Sequence, residues 1–206
     1  MSTYKLTYFN VTGIAEPIRY LLSQSGIKFE DVRVEFDDWP KVKSSMLTRL
    51  PMGQVPVLEV DGKPYHQSKA IARFVAKRGN LYGNNELEAM EIDATVETMD
   101  DLRQAVSAYY VEKDPAIKEK LKTIAFEKLP FYLDKLEAQV KRNGGYFVGG
   151  KLSWADLLWA AYSEYLNSAL ARDINKNHPE LKKLVEKVRA LPNIKAYIEK
   201  RPKTQL

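Results

Sequence analysis

The chain has 206 residues, enough for one large or two small domains, and its 45% hydrophobic content is that of an ordinary globular protein. It has no cysteine and two histidines, which excludes a disulfide framework, a thiolate zinc site and a built-in cysteine nucleophile, and all but excludes a histidine-centred triad. The net charge of +5 is modest and its basic residues sit on helical faces without interleaved aromatics, so no nucleic-acid partner is expected; with no apolar run near the roughly 20 residues that span a bilayer and no apolar leader, the expectation is a cytoplasmic protein without a membrane partner.

In chain order, residues 4–8 alternate as a strand, and 15–25 carry a helical apolar set in Ile18, Leu21 and Leu22. A second strand is predicted over 29–36 and a short helix over 39–46. Residues 55–60 read as a strand and 65–66 as its return, joined by Asp61–Gly62, a turn pair suited to a hairpin. A helix follows from Ser68 to about Lys77, so the order β-α-β-α-β-β-α describes an α/β domain with a small mixed sheet over 1–79.

The turn-rich run "RGNLYGNNE" supplies a linker over 80–86, and no strand signal follows it. Ile92, Val96, Met99, Leu102, Val106 and Tyr109 step by three or four and mark a long amphipathic helix. Another is predicted over 116–140, with Pro130 inside it as a kink. In "KLSWADLLWAAYSEYL", Ser153 is placed to cap a helix and Asp156 to reach back as in a capping box. Two shorter helices, over 178–190 and 193–200, complete an all-α domain over 87–206.

Two details of the hairpin region suggest a ligand. Pro56 stands at the mouth of a strand, where its missing N–H suits an edge or a first residue. Gln67 and Ser68 stand at the start of a helix, whose first N–H groups lack partners within it. Each alone reads more readily as an edge-stop or an ordinary cap, and only as a matched pair do they favour a ligand.

The segments "YKLTYFNVTGIAEPIRYLL", "DDWPKVKS", "MGQVPVLEVDG", "HQSKAIARF" and "KLSWADLLW" together resemble the cytosolic glutathione S-transferases. The sigma class, which includes invertebrate enzymes and the haematopoietic-type prostaglandin D synthases, is the best match, and the resemblance spans nearly the whole chain. It implies a thioredoxin-like N-terminal domain, glutathione as co-substrate, no required metal, and a homodimer. The absence of cysteine then becomes informative, because such an enzyme takes its sulfur from glutathione.

Carried onto this chain, the resemblance implies that Tyr8 is catalytic, its hydroxyl donating to the glutathione sulfur. Pro56 would follow a cis bond, with Gly53, Gln54 and Val55 beside it and the Val55 backbone offered to the cysteinyl unit. Gln67 and Ser68 would hold the γ-glutamyl carboxylate at the helix N-terminus. Trp39 and Lys43, four apart on one helical face, would meet the glycyl end, and Asp101 would reach the γ-glutamyl amine from the partner subunit. An electrophile pocket is expected from Phe9, Gly13, Ile14, Arg103, Tyr109, Leu158, Tyr162 and Leu206, mostly apolar and so suited to hydrophobic electrophiles.

This chain departs from the family pattern in two places. Ile14 stands where many sigma enzymes carry an arginine near the sulfur, which weighs against prostaglandin synthase activity. The segment "SSMLTRLPMGQ" is about four residues longer than the family's, near Leu47–Leu50, and lies beside the glycyl subsite. The leading expectation is conjugation of glutathione to hydrophobic electrophiles. The alternatives are glutathione-dependent prostaglandin isomerisation and a non-enzymatic, crystallin-like relative.

Overall fold

The computed structural model describes residues 2–46 and 49–204. Four strands form one mixed sheet: β1 (Tyr4–Phe9), β2 (Glu30–Val34), β3 (Val57–Val60) and β4 (Lys63–His66), in the order β2-β1-β3-β4. The β1–β2 pair is parallel and the other two pairs are antiparallel. The parallel pair is joined by helix α1 (Glu16–Gln24), as a parallel crossover requires. The β3–β4 hairpin turns on Asp61 and Gly62, both at positive φ (51° and 80°), the backbone of the two-residue turn that this pair favours.

Two strands are shorter than the sequence suggests. The ladder of β2 stops at Val34 because its neighbour ends there, Phe9 being paired with Val34. The ladder of β3 starts at Val57 because Pro56 has no N–H to give it.

Short helix α2 (Trp39–Ser45) follows β2, and α3 (Ser68–Arg78) follows the hairpin. The longer helices are α4 (Glu86–Val111), α5 (Pro115–Arg142) and α6 (Trp154–Leu170), then α7 (Pro179–Arg189) and α8 (Pro192–Lys200). Their starts are chemically marked. Asn85 accepts from the Glu88 N–H at 2.9 Å, and Asp114 accepts from the N–H groups of Ala116 and Ile117. The predicted capping box opens α6, where Asp156 Oδ2 accepts from the Ser153 N–H at 2.6 Å and hydroxyl at 2.8 Å. Helix α5 continues through Pro130.

By contacts the chain forms two units. One runs to Asn80 and takes back the segment from Pro192, whose helix α8 packs on α1; the other is Leu81–Leu191. The first has its core in Leu6, Ile18, Leu21, Leu58 and Val75. In the second, Ile92, Val96, Met99, Leu102 and Val106 of the predicted stripe are all buried, alongside Leu133, Leu136, Trp154 and Trp159.

Candidate active site

Tyr8 stands near the end of β1, level with Arg33 of β2, and only 9% of it is exposed. Beyond Phe9 the chain turns sharply, the Val11 N–H donating to the Phe9 carbonyl at 2.8 Å, and enters a 3-10 turn over Gly13–Ala15 before α1. Gly13 has φ 46°, and a β-carbon built on it would fall 2.7 Å from the Tyr8 hydroxyl oxygen. Only glycine fits there, so the turn lies directly against the phenol.

The two hairpin details meet in one place. Val55–Pro56 is a cis peptide bond. Gln67 takes φ 72° and ψ 102°, an uncommon backbone for a residue with a side chain, as α3 begins. The first bond of that helix runs from the Ile71 N–H to the Gln67 carbonyl at 3.0 Å, so the N–H groups before Ile71 have no acceptor within it. Gln54, Val55, Pro56, Gln67 and Ser68 line one cavity of about 90 Å³, with Ile14, Met52 and His66 completing its wall. Donors, a positive helix end and exposed backbone on opposite walls suit an extended peptide ligand with a carboxylate.

Helix α2 is anchored beside it. The Phe9 ring stacks on Phe36 at 4.6 Å and meets the Trp39 ring edge-on at 5.2 Å, which occupies Phe9 in packing. Lys43 runs along Gly53, its Cε and Nζ lying 3.2 and 3.6 Å from a β-carbon built there. Lys43 thus reaches Gly53 in spite of the lengthened loop. Of that loop, Leu47 and Thr48 lie outside the described residues, while Leu50 is buried and anchors its return.

In the second unit Asp101 is exposed on α4. Its neighbour Asp100 is buried and accepts from Arg103 Nε at 2.6 Å, Gln104 Nε2 at 3.1 Å and the Tyr162 hydroxyl at 3.3 Å. Arg103 and Tyr162 are therefore both tied to one carboxylate, and burial, with Asp100 adding to it, pushes the Tyr162 phenol up. The sequence carries a signal for Asp100: it stands four residues after Val96 and so falls on the buried stripe. Leu158 is buried, and Tyr109 is half-buried, edge-on to Phe126 with Lys118 over its ring. Leu206 lies outside the described residues. Among the described residues no group of histidines and carboxylates is placed to hold a metal, and no helix is long and apolar enough to cross a membrane.

The glutathione S-transferase N-terminal domain model matches residues 4–77 and the corresponding C-terminal domain model residues 100–201. The chain belongs to the glutathione S-transferase family. It is 47% identical to glutathione S-transferase S1 of Drosophila melanogaster over 99% of this chain and 81% of that protein. It is 43% identical to the hematopoietic prostaglandin D synthase of Gallus gallus over the full length of both. Among solved structures it matches prostaglandin synthase D of Nilaparvata lugens at TM-score 0.91 and 46% identity, covering 98% of this chain and all of that one. The glutathione transferase fold expected from the sequence, with its sigma-class affinity, is the fold of this protein.

Proposed function

We propose that this transferase joins the glutathione thiolate to hydrophobic electrophiles, with Tyr8 as the catalytic residue. The carrying observation is the cavity that brings Gln54, Val55 and Pro56 face to face with Gln67 and Ser68. The γ-glutamyl carboxylate docks at the α3 N-terminus on Gln67 and Ser68, the cysteinyl unit pairs with the Val55 backbone beside Gly53 and Gln54, and the glycyl end meets Trp39 and Lys43. The sulfur then lies at Tyr8.

The energetics close with one group. A free thiol has a pKa of about 8.5, so lowering it by two units needs about 2.7 kcal/mol of preference for the anion. A hydrogen bond to a charged acceptor contributes roughly 1.5–3 kcal/mol, so one well-placed phenolic donor suffices. The thiolate attacks the electrophilic carbon, a carbon–sulfur bond forms, and the leaving group departs with its electron pair; where the acceptor is an enal, sulfur bonds to the β-carbon, the double-bond pair moves to give an enolate, and the α-carbon takes up a proton from solvent. The acceptor rests on the apolar face of Ile14, which completes the wall of the same cavity.

The test is Tyr8→Phe. The expected enzyme loses most of its turnover with a chloronitrobenzene acceptor yet stays on a glutathione-affinity resin, since the hydroxyl acts on the sulfur rather than on docking. Full activity removes Tyr8 from the role.

A second reading, glutathione-dependent isomerisation of prostaglandin H2, is favoured by the likeness to prostaglandin D synthases. It uses the same thiolate and releases it after rearrangement. Product analysis with prostaglandin H2 decides: chromatograms matching the enzyme-free control dismiss it.

The functional form we infer is a homodimer, in which Asp101 of the partner subunit completes the γ-glutamyl subsite. Support comes from an apolar recess of about 290 Å³ between β4 and α3, walled by Leu58, Tyr65, Ile71 and Phe74. Tyr65 and Phe74 are 44% and 38% exposed there, apolar surface that a second copy would cover. Sedimentation at micromolar concentration should give twice the chain mass; a single-chain mass overturns it. Cytoplasmic residence belongs to the same reading, because the reaction consumes a thiol that the cytosol keeps reduced.

A further inference from the structure

Beside the Tyr8 ring lies an ion-pair lattice with no part in the chemistry above. Arg19 of α1 is fully buried. Its Nη1 donates to the Val11 carbonyl at 2.8 Å and to Glu16 Oε2 at 3.1 Å, and its Nε to Asp31 Oδ1 at 3.1 Å. Asp31 Oδ2 also takes Arg33 Nε at 2.8 Å, and Arg33 is the residue level with Tyr8 on β2. The last helix closes the lattice: the Tyr197 hydroxyl donates to Glu16 Oε2 at 3.2 Å, and Arg201 Nη1 donates to Glu16 Oε1.

Two features connect this lattice to the phenol. The Arg19 guanidinium carbon sits 5.9 Å from the Tyr8 ring centroid, and its Nη2 is buried with no hydrogen-bond partner among the described residues. A buried N–H without an acceptor is rare, and an electron-rich ring is what the cation has left to face. The Val11 carbonyl held by Arg19 belongs to the turn that sets Gly13 against the Tyr8 hydroxyl.

Charge counts in the same direction. Arg19, Arg33 and Arg201 face the carboxylates of Glu16 and Asp31, leaving one positive charge in excess. Glu35, reached through Asn10, is exposed and screened by water, and Glu59 of β3 lies lower, opposite Lys5. Burial by itself disfavours the Arg19 cation, yet Glu16 and Asp31 outweigh it and keep Arg19 above its ordinary value, so it stays charged.

We propose that Arg19 is a positioning residue for Tyr8, holding the phenol and its turn in place beneath the glutathione sulfur, and that α8 fixes Arg19 through Tyr197, Arg201 and Glu16. The proposal rests on the Tyr8 reading above. It makes the last helix of the chain part of the machinery of its first strand.

The experiment measures kcat/KM against pH with a chloronitrobenzene acceptor, glutathione affinity by calorimetry, and the ultraviolet thiolate absorbance of bound glutathione. Arg19→Met is expected to lower kcat/KM about tenfold and raise the acid limb by about one pH unit, the equivalent of about 1.4 kcal/mol. Glutathione affinity should stay within about twofold, and Arg19→Lys, which keeps the charge, should recover part of the loss. Tyr197→Phe, which removes the donation to Glu16 and the acceptor of Arg33 Nη2, should move the limb the same way by less, with about a two- to threefold loss. A folded Arg19→Met with an unmoved limb overturns the proposal. Should that variant fail to fold, Tyr197→Phe and Arg201→Gln decide, and wild-type limbs in both overturn it. Tyr8→Phe separates the two readings: full activity there removes the Tyr8 role, whereas an inert Tyr8→Phe beside unmoved limbs removes the Arg19 role alone.

Discussion

Gly13 lies so close to Tyr8 that a β-carbon on it would come within 2.7 Å of the phenolic oxygen and 2.9 Å of a ring carbon. Gly13→Ala must therefore displace either the turn or the phenol. Since a misplacement of about 1 Å at the chemistry is worth up to roughly a hundredfold, we expect kcat to fall by about ten- to a hundredfold while glutathione affinity changes much less. Steady-state kinetics beside calorimetry check this, and unchanged kcat would show that the phenol does not need its place.

Gln67 holds a backbone that a residue with a side chain takes up at a cost, at φ 72°. Gln67→Gly should raise the unfolding free energy by up to about 1 kcal/mol through relief of that strain, while weakening glutathione binding by removing a γ-glutamyl partner. Denaturant unfolding and calorimetry on the same sample test both halves. A variant that is both less stable and equally good at binding contradicts the assignment.

Lys43 is exposed, so in the proposed glycyl subsite it would act by charge and not by a buried bond. An exposed ion pair contributes about 0.2–1 kcal/mol, so Lys43→Met should raise the KM for glutathione only about two- to fivefold, with kcat unchanged. Added salt should shrink the difference between the two proteins. An effect confined to kcat places Lys43 elsewhere.

Asp156 gives a pH signature. Burial raises its carboxyl to about 6, against the bonds from the Phe147 and Ser153 N–H groups that oppose the rise. Between about pH 4 and 6 the folded chain then holds a proton that the unfolded chain has released, so this group's contribution to stability falls as pH rises through that window and is flat above it. The full change is roughly 3 kcal/mol. Asp156→Asn should be less stable at pH 7, having lost one of two acceptor oxygens, and should lack this component of the slope in denaturant unfolding from pH 4 to 7. Equal slopes in the two proteins would show that Asp156 ionises as an ordinary carboxyl.

Much of the fold is legible in local chemistry. Asp61–Gly62, the Ser153–Asp156 box and the stripe from Ile92 to Val106 each act within a turn or two of chain, and each forms where the sequence places it. The strand ends are not legible, because a ladder stops where its neighbour stops, which Phe29 and Phe36 do not encode. The cleft was readable as two separate oddities, Pro56 and Gln67–Ser68, whose meeting depends on the hairpin between them. The lattice around Arg19 was not readable, since Glu16 and Arg201 become neighbours only when α8 returns to α1. Arg103 and Tyr162, expected as lining, prove to share Asp100, a bond that needs two helices to be packed before it exists.

Both walls of the tripeptide cleft come from a single hairpin and the helix after it, between Gln54 and Ser68. In the proposed reading most of the hold on the sulfur donor therefore comes from one short, locally folded module, with Trp39 and Lys43 of α2 and Asp101 of the partner subunit adding to it. Apart from Asp101, the long helices then carry none of that hold, so on this reading what they offer an acceptor can change without renegotiating the grip on the sulfur donor.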